Sequence, residues 1–117
     1  MVAGTEQDCQ WWLTDGVTYL TLDNAPHSTA QAAKSDFAMQ KTRETNAQYS
    51  TSTRPEPGIG DDAFSAFYSN YRAGFGLEQV IFVRGTYVVT IKLVARGGDS
   101  VLRPRAETLA RAAAAKV

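Results

Sequence analysis

The sequence is poor in the residues that most often carry chemistry. It has one cysteine, Cys9, and one histidine, His27, among 117 residues. A single cysteine excludes a disulfide within the chain, and one residue of each kind falls short of the tetrahedral His/Cys set of a structural zinc site. Net charge is missing too: 12 basic residues balance 12 acidic ones, so nothing draws the chain to nucleic acid in general. No apolar run approaches the ~20 residues of a membrane-spanning helix. The opening MVAGTEQD lacks the basic-then-apolar pattern of a signal peptide. Two settings remain: the cytosol, or an exported domain whose leader is not in this chain. The lone thiol suits both, either reduced in the cytosol or paired with a cysteine upstream.

What is present is a chain 44% hydrophobic, long enough for one core and too short for two. Residues 1–117 are read as a single domain, with 1–8 expected to be a disordered or vector-derived N-terminus. Residues 9–22, CQWWLTDGVTYLTL, read as a β-hairpin, because Asp15-Gly16 suits a two-residue type I′ turn. STAQAAKSDFAMQKTRETNAQ, from Ser28, reads as a helix capped by Ser28 or Thr29, with a thin apolar stripe of Ala30, Ala33, Phe37 and the stem of Lys41. Residues 49–62, YSTSTRPEPGIGDD, read as a loop, and AFSAFYS as a strand or a short helix. LEQVIFVRGTYVVTIKLVA is the clearest hairpin, turning near Arg84-Gly85. The last helix is expected to start near Leu102 or Pro104 and to bury Leu109, Ala110, Ala113 and Val117. The order β-β-α-β-β-β-α indicates an α+β domain: an antiparallel sheet of about five strands with helices packed on it.

A two-residue turn at Asp15-Gly16 fixes the first hairpin's register, since cross-strand partners share a face. Cys9, Trp11, Leu13, Thr18, Leu20 and Leu22 then form one side, nearly all apolar and expected to face the core. Gln10, Trp12, Thr14, Val17, Tyr19 and Thr21 form the other, so the pair Trp12–Tyr19, with Val17 beside the turn, needs a separate explanation. One explanation is a stabilising aromatic pair, worth roughly 0.2–1 kcal/mol. The other is a surface for a ligand or partner, where tryptophan and tyrosine are enriched. In the second hairpin Val80, Phe82, Val89, Ile91 and Leu93 share one face, and Ile81, Val83, Val88 and Val94 share the other with Thr90 and Lys92. Apolar residues on both sides call for cover on both sides, or for a dimer.

Catalytic patterns are weak. A Cys–His dyad could use only Cys9 and His27, and Cys9 is expected to face the core, where thiols are inert. Gly58-Ile59-Gly60 before Asp61-Asp62 lacks the Lys-Ser/Thr of a P-loop and the third glycine of a dinucleotide fingerprint. It also lacks the acidic spacing of an EF-hand, and reads as a tight turn. Asp23, Asp61, Asp62 and Asp99 offer carboxylates, but nothing in the sequence brings two of them to one site. No cofactor or metal is expected.

The combination of Cys9-Gln10-Trp11, PGIGDDAF at 57–64, the VRGTYVVTI hairpin and an alanine-rich last helix resembles a group of small secreted bacterial lipoproteins. They form a domain-of-unknown-function family, best represented in actinobacteria, with a PsbP-like fold. There a Cys-x-Trp strand, a Gly-x-Gly-Asp-x-Ala turn and a last helix recur in this order, and the resemblance covers about residues 9–117. The family usually carries an N-terminal helix and an earlier cysteine bonded to that of Cys-x-Trp, and this sequence has neither. The resemblance therefore implies a disulfide from Cys9 to a segment outside this chain, and a lipid anchor upstream. It also implies a periplasmic or secreted place and a binding or accessory role without catalytic residues.

The expected function is a non-enzymatic extracytoplasmic domain that binds a protein or small ligand through Trp12, Tyr19, Val17 and the 49–62 loop. The alternatives are a cytosolic, self-associating accessory protein using the second face of the 77–95 hairpin, as a homodimer, and a Cys-dependent hydrolase around Cys9 and His27.

Overall fold

The structure is a computed structural model that describes residues 2–3, 7–12, 19–46, 52–72 and 74–116. Among these, the chain order is β1 (Val2–Ala3), β2 (Gln7–Trp12), β3 (Tyr19–Pro26), α1 (Ala30–Thr45), β4 (Ser52–Pro55), β5 (Asp62–Arg72), β6 (Phe75–Arg84), β7 (Tyr87–Ala95) and α2 (Asp99–Ala114). The strands form one antiparallel sheet in the order β1-β2-β3-β7-β6-β5-β4. This is the expected α+β class and order, with two short strands added at the sheet's two edges.

The first ladder pairs Cys9 with Leu22, Trp11 with Leu20 and Trp12 with Tyr19, the register that a two-residue turn at Asp15-Gly16 would set. The turn itself, Leu13, Val17 and Thr18 lie outside the described residues. The second hairpin pairs Val80 with Ile91, Phe82 with Val89 and Val83 with Val88, and turns through Gly85-Thr86. Residues 49–62 are not one loop. Ser52–Pro55 pairs with Ser65–Phe67 and Phe64 of β5 as an edge strand, the position where a proline does least harm to a ladder.

Each face of the second hairpin is covered by a helix. Thr29 caps α1, its Oγ1 accepting the Ala32 N–H at 3.0 Å. Ala33 and Phe37, one turn apart, are the buried residues of α1 and pack against Phe64, Ala66, Ile81, Val83 and Val88. Phe37 meets Phe64 edge to face, with centroids 5.5 Å apart. Of the expected stripe, Ala30 and Lys41 are exposed, so α1 touches the sheet over a narrower band.

On the opposite face α2 lays Ala106, Ala110 and Ala114 over Val80, Phe82, Val89 and Ile91. Leu102 packs with Phe67, Leu93 and Ala95. The helix begins at Asp99, earlier than Leu102 or Pro104, and keeps Pro104 in its interior. The reason lies in the first turn: Gly98 C=O accepts the Val101 and Leu102 N–H groups, each at 3.0 Å, and Leu102 is fully buried. That gain outweighs the hydrogen bond that proline cannot donate. Leu109 and Ala113 are only partly buried, and Val117 lies outside the described residues.

Both helices are centred on the β5–β7 part of the sheet. Among the described residues, β2 packs with β1 and β3 rather than with either helix.

Candidate functional site

Trp12 and Tyr19 stand on β2 and β3, while most helix–sheet contacts among the described residues fall on β5–β7. Trp12 stands opposite Tyr19, and Tyr19 opposite Val94, on the row that continues to Leu77. The structure thus brings Trp12 and Tyr19 to one register position, while Val17 lies outside the described residues. Past Ala3–Gln7 and Val2–Asp8, the ladder between β1 and β2 ends, so Cys9 to Trp12 have β3 as their described strand neighbour.

Cys9 and His27 are not brought together. Cys9 is opposite Leu22, and His27 comes five residues after Leu22, just beyond the end of β3. At ~3.3 Å per residue that is roughly 16 Å of strand. His27 is held elsewhere: its backbone N–H donates to Thr86 C=O at 2.8 Å, and its Nε2 lies 3.0 Å from Asp36 Oδ2 of α1. Gln40 Nε2 donates to the other oxygen of Asp36 at 3.2 Å. The pair borders an open cleft lined by Ala25, Pro26, Ala32, Ser35 and Met39, and it ties the first half of α1 to the sheet.

The PGIGDD turn is a buttress for the second hairpin. Ile59 is buried in the α2-side core. The Asp61 N–H donates to Val83 C=O at 2.8 Å, and Asp61 Oδ2 accepts the Gly85 N–H at 2.8 Å. Gly60 has φ +59°, and an added Cβ would stand 2.8 Å from the Val83 oxygen. These residues grip the β6–β7 turn, so this part of the expected binding loop has a structural task.

A cluster of charge that the sequence reading missed lies under the first half of α2. Glu78 of β6 is 0% exposed and Glu56, just after β4, 2% exposed. Glu56 Oε2 accepts from Ser65 Oγ at 2.8 Å and from Arg103 Nε at 3.0 Å. Arg103 also reaches Glu107 at 3.3 Å, and Arg54 of β4 pairs with Asp99 at the start of α2. Neither carboxyl oxygen of Glu78 has a hydrogen-bond partner. Its cross-strand neighbours are Phe67 and Leu93.

The electrostatics follow from this geometry. Burial pushes the Glu78 carboxyl up to about 8, against the pull of Arg54 and Arg103. Burial also acts to raise Glu56, but hydrogen bonds from Glu107, Ser65 and Arg103 outweigh it and hold Glu56 below the usual range. Glu107 is raised, first by its hydrogen bond to Glu56, then by burial and by the charge of Glu56. Little signal in the sequence pointed to Glu78: with Gln79 it stands between Leu77 and the apolar run 80–83. Glu56, between two prolines, gave none. Among the described residues no group of His, Cys, Asp and Glu is arranged to hold a metal ion, and no helix is long and apolar enough to cross a membrane.

Comparison of the chain with family models, with curated proteins and with solved structures finds no match.

Proposed function

We propose that this chain is a non-enzymatic binding or accessory domain of the cell envelope, contacting a protein or small ligand through the part of its first hairpin that carries Trp12 and Tyr19. The observation that carries the reading is the off-centre placement of the helices. Most of their contacts fall on β5–β7, while the Trp12–Tyr19 register position lies on β2 and β3. Interface anchors are enriched in these two residue types. The extracytoplasmic place is supported by the resemblance of Cys9-Gln10-Trp11, PGIGDDAF and the VRGTYVVTI hairpin to secreted lipoproteins. Self-association through Ile81, Val83 and Val88 has less support, because Ala33 and Phe37 of α1 pack on that face within the chain.

Trp12→Ala tests the reading. It is expected to cost no more than about 1 kcal/mol in urea unfolding, the scale of a cross-strand pair, while removing the ligand- or partner-dependent shift seen with the unsubstituted chain in sedimentation against envelope extracts. A loss of about 3–5 kcal/mol, the scale of a buried tryptophan, refutes it by making Trp12 part of the core.

A further inference from the structure

The cluster beneath α2 leaves one acid outside its ion pairs. Among the described residues, Arg54, Arg103 and Arg111 act on the four acids Glu56, Glu78, Asp99 and Glu107. Glu78 is the fully buried acid, and an ionised carboxyl there would be a buried charge without a hydrogen-bond partner, so burial favours its protonated form. The ion pairs with Arg54 and Arg103 are taken by Asp99, Glu56 and Glu107. Glu78 is also the member whose two oxygens have no hydrogen-bond partner, in a row between Phe67 and Leu93. Those two residues pack with Leu102 of α2.

The groups around Glu78 come from each element that closes over it. β4 brings Arg54, the turn after it Glu56, and β5 Ser65, while α2 brings Asp99, Arg103 and Glu107, with Arg111 acting on Glu107. β6 is fixed in ladders on both sides, to β5 and to β7. The covering element on this face is α2. We propose that α2 docks on the sheet under proton control: the helix is held while Glu78 keeps its proton, and the first half of the helix loosens when that proton leaves.

The direction follows by linkage. With α2 docked, burial holds the Glu78 carboxyl near 8, and with α2 away it returns to its ordinary value of 4.5. The docked state thus binds the extra proton between these values. The opening constant of α2 rises about tenfold per pH unit across that window and levels off above it. Glu107, also raised, adds in the same sense. Glu56 is lowered, so its stabilising contribution is lost only as pH falls below the ordinary glutamate range.

Amide hydrogen exchange on the full chain tests this, with intrinsic rates corrected for pH. Between pH 5.5 and 7.5, protection of residues 99–114 relative to 75–95 is expected to fall about 100-fold. In Glu78→Gln the same ratio is expected to stay within about threefold, because the amide does not ionise in this range. A ratio in the unsubstituted chain that does not change overturns the proposal. So does an equal fall in helix and strands, which would mean global unfolding rather than release of α2, or a Glu78→Gln chain that titrates like its parent. If Glu78→Gln does not fold, the profile of the unsubstituted chain decides alone.

Discussion

Replacing Gly60 by alanine isolates the contact between the PGIGDD turn and the second hairpin. Gly60 has φ +59°, and a Cβ there would stand 2.8 Å from the Val83 carbonyl oxygen and 2.9 Å from Cδ2 of Phe82. The Phe82 ring is fully buried and the carbonyl belongs to a central strand that also receives the Asp61 N–H. Neither can yield cheaply. The left-handed backbone costs an L-residue roughly 1–2 kcal/mol, and forcing a methyl into packed space costs about 1–3 kcal/mol more. The narrower unfolded ensemble of alanine returns about 0.4–1 kcal/mol. The net expected loss is about 2–4 kcal/mol, a fall of ~8–15 °C in Tm for a domain of this size.

Gly58 supplies the control. Its φ is +84°, but an added Cβ meets nothing within 4 Å. Gly58→Ala therefore carries the backbone cost alone, about 0.5–1 kcal/mol after the unfolded-state term. Urea unfolding of the two variants at one pH gives the comparison. Losses equal within about 0.5 kcal/mol would show that residues 57–61 can lift away from the β6–β7 turn. The buttress reading would then be wrong, and the segment would be free to act as a binding loop.

Two further outcomes follow from the same packing. Phe82→Ala removes a fully buried ring between Val89 and Ala63 in the sheet and should cost about 3–5 kcal/mol; a loss under 2 kcal/mol by urea unfolding would show a core that collapses freely. Asp61→Ala removes the acceptor of the Gly85 N–H at an exposed position and should cost about 1 kcal/mol; no loss at all would mean that the side chain does not hold the turn.

The parts of this fold that could be read from the sequence are those whose pattern has one physical meaning. The pairing of Trp12 with Tyr19 agrees with the register expected from Asp15-Gly16, and the Val/Ile-rich arms around Gly85 dictated the second ladder. Ser28 and Thr29 together marked the start of α1, because a side-chain acceptor was needed there, and Thr29 supplies it. The errors fall where two elements decide together. Ser52–Pro55 has no apolar alternation and becomes a strand only because β5 offers an edge. The start of α2 was expected near Leu102 or Pro104, but contacts at Asp99 and Leu102 pull it forward. Glu78 drew no notice in the sequence, since alternation says little once both faces of a strand are covered. Its burial depends on α2, which arrives some twenty residues later in the chain.

That dependence also explains why a single carboxyl can govern a helix of sixteen residues. Over its second half α2 offers the sheet mainly alanine: Ala106, Ala110 and Ala114 rest on Val80, Phe82, Val89 and Ile91, with Leu109 only partly buried beside them. Small side chains let the helix lie close, but each buries little more than one methyl group, on the order of 0.8 kcal/mol. The larger attachments are concentrated in the first half, where Leu102 is fully buried, Asp99 pairs with Arg54 and Arg103 joins Glu56. Glu78 lies under that half. A proton gained or lost there acts on the attachments that hold the helix most firmly, and the alanine stripe has little reserve with which to compensate.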